Sequence, residues 1–158
     1  MTTRIREAGG EEDLGFMLGL GRRLAGVIET GIHARADIAA FQDAYSAANL
    51  KDPPADSVTL IAEEDGNRLG FLHALPGPDG ITGRSIGYVA LLAVTDEAEG
   101  RGVASLLVAG AEAWARRSGF AALSLDVFAS NGRGRRFYEK NGFAVETLRM
   151  VKPLQPLG

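Results

Sequence analysis

The chain has 158 residues, a formal net charge of -3, 46% hydrophobic residues, 23% charged residues and no cysteine. This length and composition are typical of one globular domain, expected to span residues 1–158, and the small negative charge excludes a nucleic-acid binder that depends on bulk positive charge. Without cysteine there is no disulfide, thiolate metal site or cysteine nucleophile. The polar N-terminus and the lack of a run of roughly 20 apolar residues predict a cytoplasmic protein that does not enter a membrane.

The first half of the chain predicts a strand, two helices and a hairpin. In chain order these are a strand at Arg4–Glu7, a helix from Glu11 to Ile28, a helix at Arg35–Ala48, and strands at Val58–Ala62 and Asn67–Leu75. Apolar residues at helical spacing predict both helices, and the second helix is expected to place Ile38, Phe41 and Tyr45 on one face. Turn residues at Asp65-Gly66 join the two strands, and Pro76–Gly80 is expected to be a loop.

The second half predicts two more strand–helix pairs and a closing strand. These are strands at Ile86–Val94 and Ala121–Phe128, helices at Val103–Arg117 and Arg133–Asn141, and a last strand or tight hairpin at Phe143–Lys152. The continuous apolar run before residue 95 predicts a strand buried on both faces, and Gly119 and Gly142 are placed to end the helices. The whole predicts a mixed α/β domain with one sheet and a right-handed crossover over residues 86–128.

A glycine turn lies between the apolar strand and the following helix. Gly100 and Gly102 flank Arg101, and glycines allow a close backbone approach to a ligand. The first N–H groups of the helix lack partners and carry the positive end of the helix dipole, which suits an anion such as a pyrophosphate. Alone, the pattern is also that of an ordinary tight turn. Neither the GxxxxGK[ST] nor the GxGxxG phosphate motif is present.

Two motifs resemble the GNAT superfamily of acyl-CoA N-acyltransferases. The first, V-x-x-x-x-[QR]-x-x-G-x-[GA], matches residues 94–104 in spacing and departs from the pattern at Glu99, where the family has Gln or Arg. A carboxylate there predicts weaker or differently arranged phosphate binding. The second, N-x-x-A-x-x-[FL]-Y-x-x-x-G-F, matches residues 131–143 except that Gly134 replaces the alanine. The element order matches over nearly the whole chain.

The resemblance implies a mixed, mostly antiparallel sheet with splayed central strands, flanked by about four helices. In the family, the strand before the turn splays from its neighbour at a bulge, and the pantetheine arm inserts between them. This implies backbone pairing from Leu92, Ala93 and Val94, with the Val94 N–H facing the thioester oxygen. The implied phosphate cradle consists of Glu99, Gly100, Arg101, Gly102, Val103 and Ala104.

The second motif implies three further site residues. Asn131 matches the residue that hydrogen-bonds the cofactor arm, and Arg133 on the following helix is implied to meet the phosphates. Tyr138 matches the tyrosine near the sulfur, and a phenol with a pKa of about 10 can donate to a departing thiolate. Without the motif, Asn131 would be an ordinary turn residue and Tyr138 a core aromatic.

No general base is evident on the apolar strand Ile86–Val94. Glu63 and Glu64, at the end of an earlier strand, and His73, on one face of the third strand, are the candidates. Each has a structural alternative, which is a solvated hairpin end for the glutamates and a satisfied core position for the histidine. With only two histidines and no carboxylates at ligand spacing, no metal site is expected.

The implied activity is transfer of an acetyl group from acetyl-CoA to a primary amine of a small molecule, peptide or protein, by direct attack on the thioester. Acetyl-CoA and the amine are then the partners. The oligomeric state is left open, and a homodimer is one possibility because family members are often dimers. The alternatives are a non-catalytic acyl-CoA-binding or regulatory module on the same fold, and a relative that has lost the cofactor. The sequence leaves the acceptor amine open.

Overall fold

A computed structural model describes residues 2–155; Met1 and residues 156–158 of the expected single domain lie outside the described residues. The regular elements follow one another in this order: β1 (Arg4–Glu7), α1 (Gly10–Gly21), a 3-10 helix (Arg22–Val27), α2 (Arg35–Leu50), β2 (Val58–Glu64), β3 (Asn67–Pro78), β4 (Ser85–Val94), a 3-10 helix (Asp96–Ala98), α3 (Val103–Arg117), β5 (Leu123–Leu125) and α4 (Gly132–Lys140). Within residues 2–155, no helix combines the length and apolar character that a membrane span requires.

The five strands form one sheet in the order β1-β2-β3-β4-β5. Neighbours are antiparallel from β1 to β4, and only β4 and β5 run parallel. The expected fold class, a mixed and mostly antiparallel sheet with about four helices, is therefore confirmed. The β4–β5 pairing is short, since it joins only Gly87–Val89 to Leu123–Leu125.

Helices cover both faces of the sheet and divide the core into two clusters. α3 packs on one face through residues such as Leu107 and Val108, and α4 contributes Phe137 beside them. On the other face, α1 and α2 contribute Met17 and Leu50. Along β4, buried residues alternate with half-buried ones, although side chains of this strand pack in both clusters, so the expected burial on both faces is only partly realised.

Asp13 fixes the start of α1 against the edge of the sheet. Its carboxylate accepts hydrogen bonds from Arg6 (2.7 Å) and Arg68 (2.6 Å), and from the backbone N–H of Gly9 (2.8 Å). The Arg6 guanidinium holds the pKa of this buried carboxyl well below its usual range. A buried carboxylate with several donors stays ionised and stabilises the fold only while its partners remain.

α2 presents a different face to the core from the one its apolar spacing predicts. Ile38 is buried as expected, but Phe41 is 53% exposed, while Gln42 and Ser46 are buried. The reason is a close helix–helix approach, since a Cβ on Gly21 of α1 would lie 3.0 Å from the Ser46 hydroxyl. The amide of Gln42 donates to that hydroxyl (3.2 Å), which satisfies the buried polar pair.

β3 continues through two prolines that the sequence places in a loop. It ends at Pro78 rather than Leu75, and the loop is reduced to the turn in which Asp79 N–H donates to Arg84 C=O. β2 ends its pairing opposite Ala74. Beyond that point β3 has a partner on one side only, so a proline without an N–H interrupts no ladder on the open side.

Two strand predictions for the C-terminal third are wrong. The strand expected at Ala121–Phe128 is limited to Leu123–Leu125 and is half-buried. In the part of the chain that the structure describes, the expected Phe143–Lys152 strand does not form, and Leu148 and Met150 are exposed. Once β5 turns away from β4 after three residues, it offers too short an edge for another strand to pair with.

Candidate active site

A cavity of about 300 Å³ opens where β4 and β5 part. Its walls come from both strands, from α2, from the 3-10 helix before α2 and from α4. The residues that line it include Phe41, Tyr45, Tyr88, Asp126, Phe128 and Tyr138. A cleft between splayed strands exposes backbone groups that a regular sheet would pair internally.

A β-bulge lies beside this cavity. In the β3–β4 register, His73 pairs with Leu91 and Ala74 pairs with Val89, so Ala90 has no partner of its own. One extra residue in a strand reverses the alternation of its backbone groups beyond the bulge. The splayed strands and the bulge that the resemblance implies are therefore both present.

The bulge decides which β4 backbone groups face the cavity. Gly87 N–H donates to a carbonyl at the start of β5 (3.0 Å), whereas Thr95 N–H donates to a carbonyl of β3 (2.8 Å), although both positions are odd-numbered. Counting back from Thr95, the Ala93 backbone faces β3, and the Leu92 and Val94 backbones face the open side. Of the three residues implied to pair with pantetheine, only these two direct N–H and C=O groups there.

The turn after β4 has the features of an anion site. Gly100 and Gly102 have φ angles of 76° and 80°, and a Cβ at either position would meet nothing within 4 Å. The first backbone bond of α3 runs from Leu106 N–H to Gly102 C=O (3.2 Å), so the N–H groups of residues 103–105 have no partner within the helix. These include both remaining turn residues implied in the cradle, Val103 and Ala104.

Glu99 does not present a bare carboxylate to this turn. Its oxygens accept from the guanidinium groups of Arg23 (3.4 Å) and Arg133 (3.1 Å). Arg23 also bonds Asp96 and donates to the C=O of Val94 (2.7 Å), which faces the open side of β4. The negative charge that departs from the family motif is therefore offset by two cations. Arg23 was missed at the sequence level because it lies 76 residues from Glu99.

The two glutamates considered as bases are occupied by ion pairs. Glu63 bonds Arg4 and Arg6, and these hydrogen bonds lower the pKa of its carboxyl group. Glu64 bonds Arg101 of the glycine turn. Neither glutamate lines the cavity between β4 and β5, so the structure does not bring them to the reacting region.

His73 is a core residue. It is fully buried, its Nδ1 lies 2.8 Å from the Thr59 hydroxyl, and its Nε2 has no hydrogen-bond partner among the described residues. Burial lowers its pKa to about 4, so the ring is neutral at pH 7. It does not line the cavity, and its position matches the structural alternative.

The buried histidine predicts a pH-dependent stability. Because the pKa of His73 is about 4 in the folded chain and about 6.5 when unfolded, the unfolded chain binds more protons between these values. Stability should fall as pH drops below 6.5, by about 2 kcal/mol between pH 7 and pH 5. Urea unfolding of His73→Leu should lack this slope; an unchanged slope would contradict the assignment.

Asn131 and Tyr138 lie on either end of α4 and both line the cavity. Asn131 caps the helix by accepting from Gly134 N–H (2.9 Å). A Cβ on Gly134 would come within 2.4 Å of the Asn131 amide nitrogen, so glycine makes room for this cap. Burial raises the pKa of Tyr138 above its ordinary value, and its ring packs edge-on against Phe143.

Asp126 is a candidate functional residue that sequence reasoning missed. It follows the last β5 residue, lines the cavity, is exposed, and accepts a hydrogen bond from the Tyr88 hydroxyl (2.7 Å). Burial and this bond raise the pKa of Tyr88, and the Tyr45 hydroxyl lies beside it. The sequence offered one indication of this role, since Asp126 is the only charged residue in the strand predicted at Ala121–Phe128.

The acid and the phenol of Tyr138 approach the cavity from opposite faces of the sheet. Tyr45, beside Tyr88 and Asp126, belongs to the cluster under α1 and α2, whereas Phe137 and Phe143, which pack on Tyr138, belong to the cluster under α3. A proton acceptor on one side and a donor on the other suit a transfer in which one group enters as another leaves.

In residues 2–155, no three acidic or histidine side chains lie close enough together to bind a metal ion.

Comparison with known proteins places the chain in a family. The model of the Acetyltransferase (GNAT) family matches residues 19–143. "Uncharacterized N-acetyltransferase YhfO" of Bacillus subtilis (strain 168) is 30% identical over 105 residues, 66% of this chain and 69% of the relative.

Solved structures share the fold at low identity. A GCN5-related N-acetyltransferase from Ralstonia eutropha JMP134 is 22% identical with a TM-score of 0.72, over 97% of this chain and 99% of that one. AAC(6')-Iy, in complex with the bisubstrate analog CoA-S-monomethyl-acetylneamine, is 22% identical with a TM-score of 0.67, over 98% and 99%. The chain therefore belongs to the acetyltransferase (GNAT) family and is an acyltransferase.

Proposed function

We propose that the protein transfers the acetyl group of acetyl-CoA to a primary amine by direct attack on the thioester. The observation that carries the proposal is the cavity between β4 and β5, into which Asp126 and Tyr138 project from opposite faces. In this proposal Asp126 receives the proton of the amine, and Tyr138 donates a hydrogen bond to the departing sulfur. Acetyl-CoA, when bound, supplies the activated acetyl group.

The residues present fit acetyl-CoA. The unpaired N–H groups at the start of α3 and the open glycine turn would hold the pyrophosphate, with Arg101 and Arg133 as nearby cations. The backbone of Leu92 would pair with the pantetheine arm, and the Val94 N–H, on the same open side of β4, would donate to the thioester oxygen. That AAC(6')-Iy holds a CoA bisubstrate analog on the same fold supports this arrangement.

The chemistry requires a neutral amine, since an ammonium has no lone pair. One carboxylate oxygen of Asp126 accepts from Tyr88, and the other has no hydrogen-bond partner within residues 2–155, so that oxygen can accept from the incoming amine. Because Asp126 is exposed, a proton passed to it can leave to water. The N–C bond forms, the C–S bond breaks, and the thiolate takes a proton, which gives an acetamide and free CoA thiol.

Two glycines at opposite ends of α3 offer a matched test of the cradle. Gly102 and Gly119 have φ angles of 80° and 78°, and neither has an atom within 4 Å of a built Cβ. Gly102→Ala and Gly119→Ala should each cost about 1 kcal/mol of stability. Only the first should weaken acetyl-CoA binding, by about tenfold, in calorimetric titrations, because only there does a ligand approach the backbone.

The outcomes of this titration separate the alternatives. No binding of acetyl-CoA at millimolar concentration would refute the proposal, and equal affinities for the two variants would remove the turn from the site. Binding with no thiol release for any amine in a broad acceptor panel would favour the non-catalytic acyl-CoA-binding alternative on the same fold.

A further inference from the structure

The part of the cavity around Asp126, where the amine acceptor would bind, is called the acceptor side, and its lining carries a single negative charge. Asp126 carries the only formal charge among the described side chains that line it. The nearby cations are turned elsewhere: Arg23 bonds Asp96 and Glu99, and Arg35 donates to the backbone carbonyls of Ile28 and Ala25. Among the described lining residues, a ligand that enters this side therefore meets one anion and no unpaired cation, which favours a group bearing one positive charge and no carboxylate.

Aromatic side chains surround that single carboxylate. Phe41 and Tyr45 stack with ring centroids 5.6 Å apart, and Tyr88 and Phe128 line the same cavity. Phe41 and Phe128 remain 53% and 44% exposed, although aromatic rings are costly to leave in water. Exposed apolar groups gathered at one cavity mouth indicate a surface that a ligand covers. Aromatic faces also favour a neighbouring ammonium group.

From these observations we infer that the acceptor is a small primary amine with a compact, ring-bearing apolar body and without a carboxylate or a second charge. The inference rests on the proposed acetyl transfer. The ammonium pairs with Asp126, and the ring lies among Phe41, Tyr45 and Phe128. A cavity of about 300 Å³ is at the small end for ligand sites, and the thioester shares it. A compact amine therefore fits better than a polypeptide.

The test compares matched amines at saturating acetyl-CoA by following thiol release. The probes are 2-phenylethylamine, phenylalanine (which adds a carboxylate), putrescine (which replaces the ring with a second cation) and glucosamine (which has a polar body). We expect kcat/KM for 2-phenylethylamine to exceed that of each other probe by about 100-fold, because the second charge of phenylalanine or putrescine has no counter-ion left among the described lining residues, and the hydroxyls of glucosamine would lose water contacts against the aromatic rings. A tripeptide amide beginning with phenylalanine serves as the polypeptide probe.

Phe128→Ala and Leu106→Ala form a matched pair of variants. Both side chains are similarly exposed, at 44% and 43%, but Leu106 lies on α3 outside the cavity. Phe128→Ala should raise KM for 2-phenylethylamine about tenfold, which is a larger increase than it causes in KM for ethylamine. Leu106→Ala should alter neither.

The outcomes distinguish the acceptor class from the reaction. If acetyl-CoA binds and phenylalanine, putrescine or glucosamine reacts as well as 2-phenylethylamine, the acceptor class is wrong and acetyl transfer stands. Preference for the tripeptide amide overturns the class in favour of a polypeptide acceptor, and bound acetyl-CoA without turnover of 2-phenylethylamine also overturns it. Failure of acetyl-CoA to bind refutes the proposed function itself.

Discussion

Asp126→Asn should lower kcat/KM for amine acetylation at pH 7.5 by at least about 100-fold, the usual range for a general base. Asparagine keeps the size of the side chain and can still accept from the Tyr88 hydroxyl, but it neither pairs with an ammonium nor carries a proton to water. The measurement is thiol release under varied amine concentration. Acetyl-CoA affinity should stay within about twofold, because Asp126 lies on the acceptor side of the cavity.

The pH dependence separates this role from a structural one. Primary alkyl amines have pKa values near 10, so the free amine becomes more abundant as pH rises. The deficit of Asp126→Asn should therefore shrink toward pH 9.5, whereas a misfolded variant would show the same deficit at every pH. Tyr88→Phe removes the hydroxyl that donates to Asp126 and should lower kcat/KM about tenfold. A pH-independent deficit in Asp126→Asn would contradict the role assigned to it.

Much of the fold could be predicted from local sequence, and α3 shows why. Its bounds, Val103–Arg117, agree with the prediction because a glycine lies at each end and one face is continuously apolar. The β2–β3 hairpin was equally accessible through Asp65-Gly66, where both residues have positive φ. These elements carry their start and stop signals within a few residues, so tertiary contacts do not need to decide them.

The elements that were wrong depend on partners remote in sequence. The apolar pattern of Phe143–Lys152 favours a strand, but a strand also needs an edge, and β5 ends at Leu125. The burial of Gln42 in place of Phe41 depends on the absent side chain of Gly21 in another helix. Periodicity measures the apolar spacing of an element and not the shape of what packs against it.

The candidate site divides in the same way. The resemblance supplied the cradle turn and Tyr138 through local motifs, and the structure places Tyr138 and Asn131 at one cavity. The resemblance implies a bulge but does not locate it at Ala90, because the position is visible only in the pairing register. It does not identify Arg23 either, because the contact of Arg23 with Glu99 spans 76 residues of sequence. The departure at Glu99 therefore looked more damaging in the motif than it is among its neighbours.

In the proposed phosphate site, the carboxylate of Glu99 is paired and does not face the phosphates as a free anion. Two guanidinium groups flank it, and because Arg23 also pairs with Asp96, these four side chains carry no net charge. The same Arg23 donates to the Val94 carbonyl. Glu99 and Asp96 thus hold the Arg23 guanidinium against the end of β4.

Tyr138→Phe should lower kcat by about 100-fold, the lower end of the effect of losing a general acid, and should leave acetyl-CoA affinity within about twofold. The ring keeps its edge-on packing against Phe137 and Phe143, so only the donor to the departing sulfur is lost. Since burial raises the pKa of Tyr138 above its ordinary value near 10, the phenol stays protonated and the wild-type rate should not fall between pH 7 and pH 9. Stopped-flow thiol detection measures kcat and its pH dependence, and calorimetric titration measures the acetyl-CoA affinity. The unfolding free energy serves as a control for folding. An unchanged kcat in a folded variant would leave the thiolate to be protonated by water and would remove Tyr138 from the mechanism.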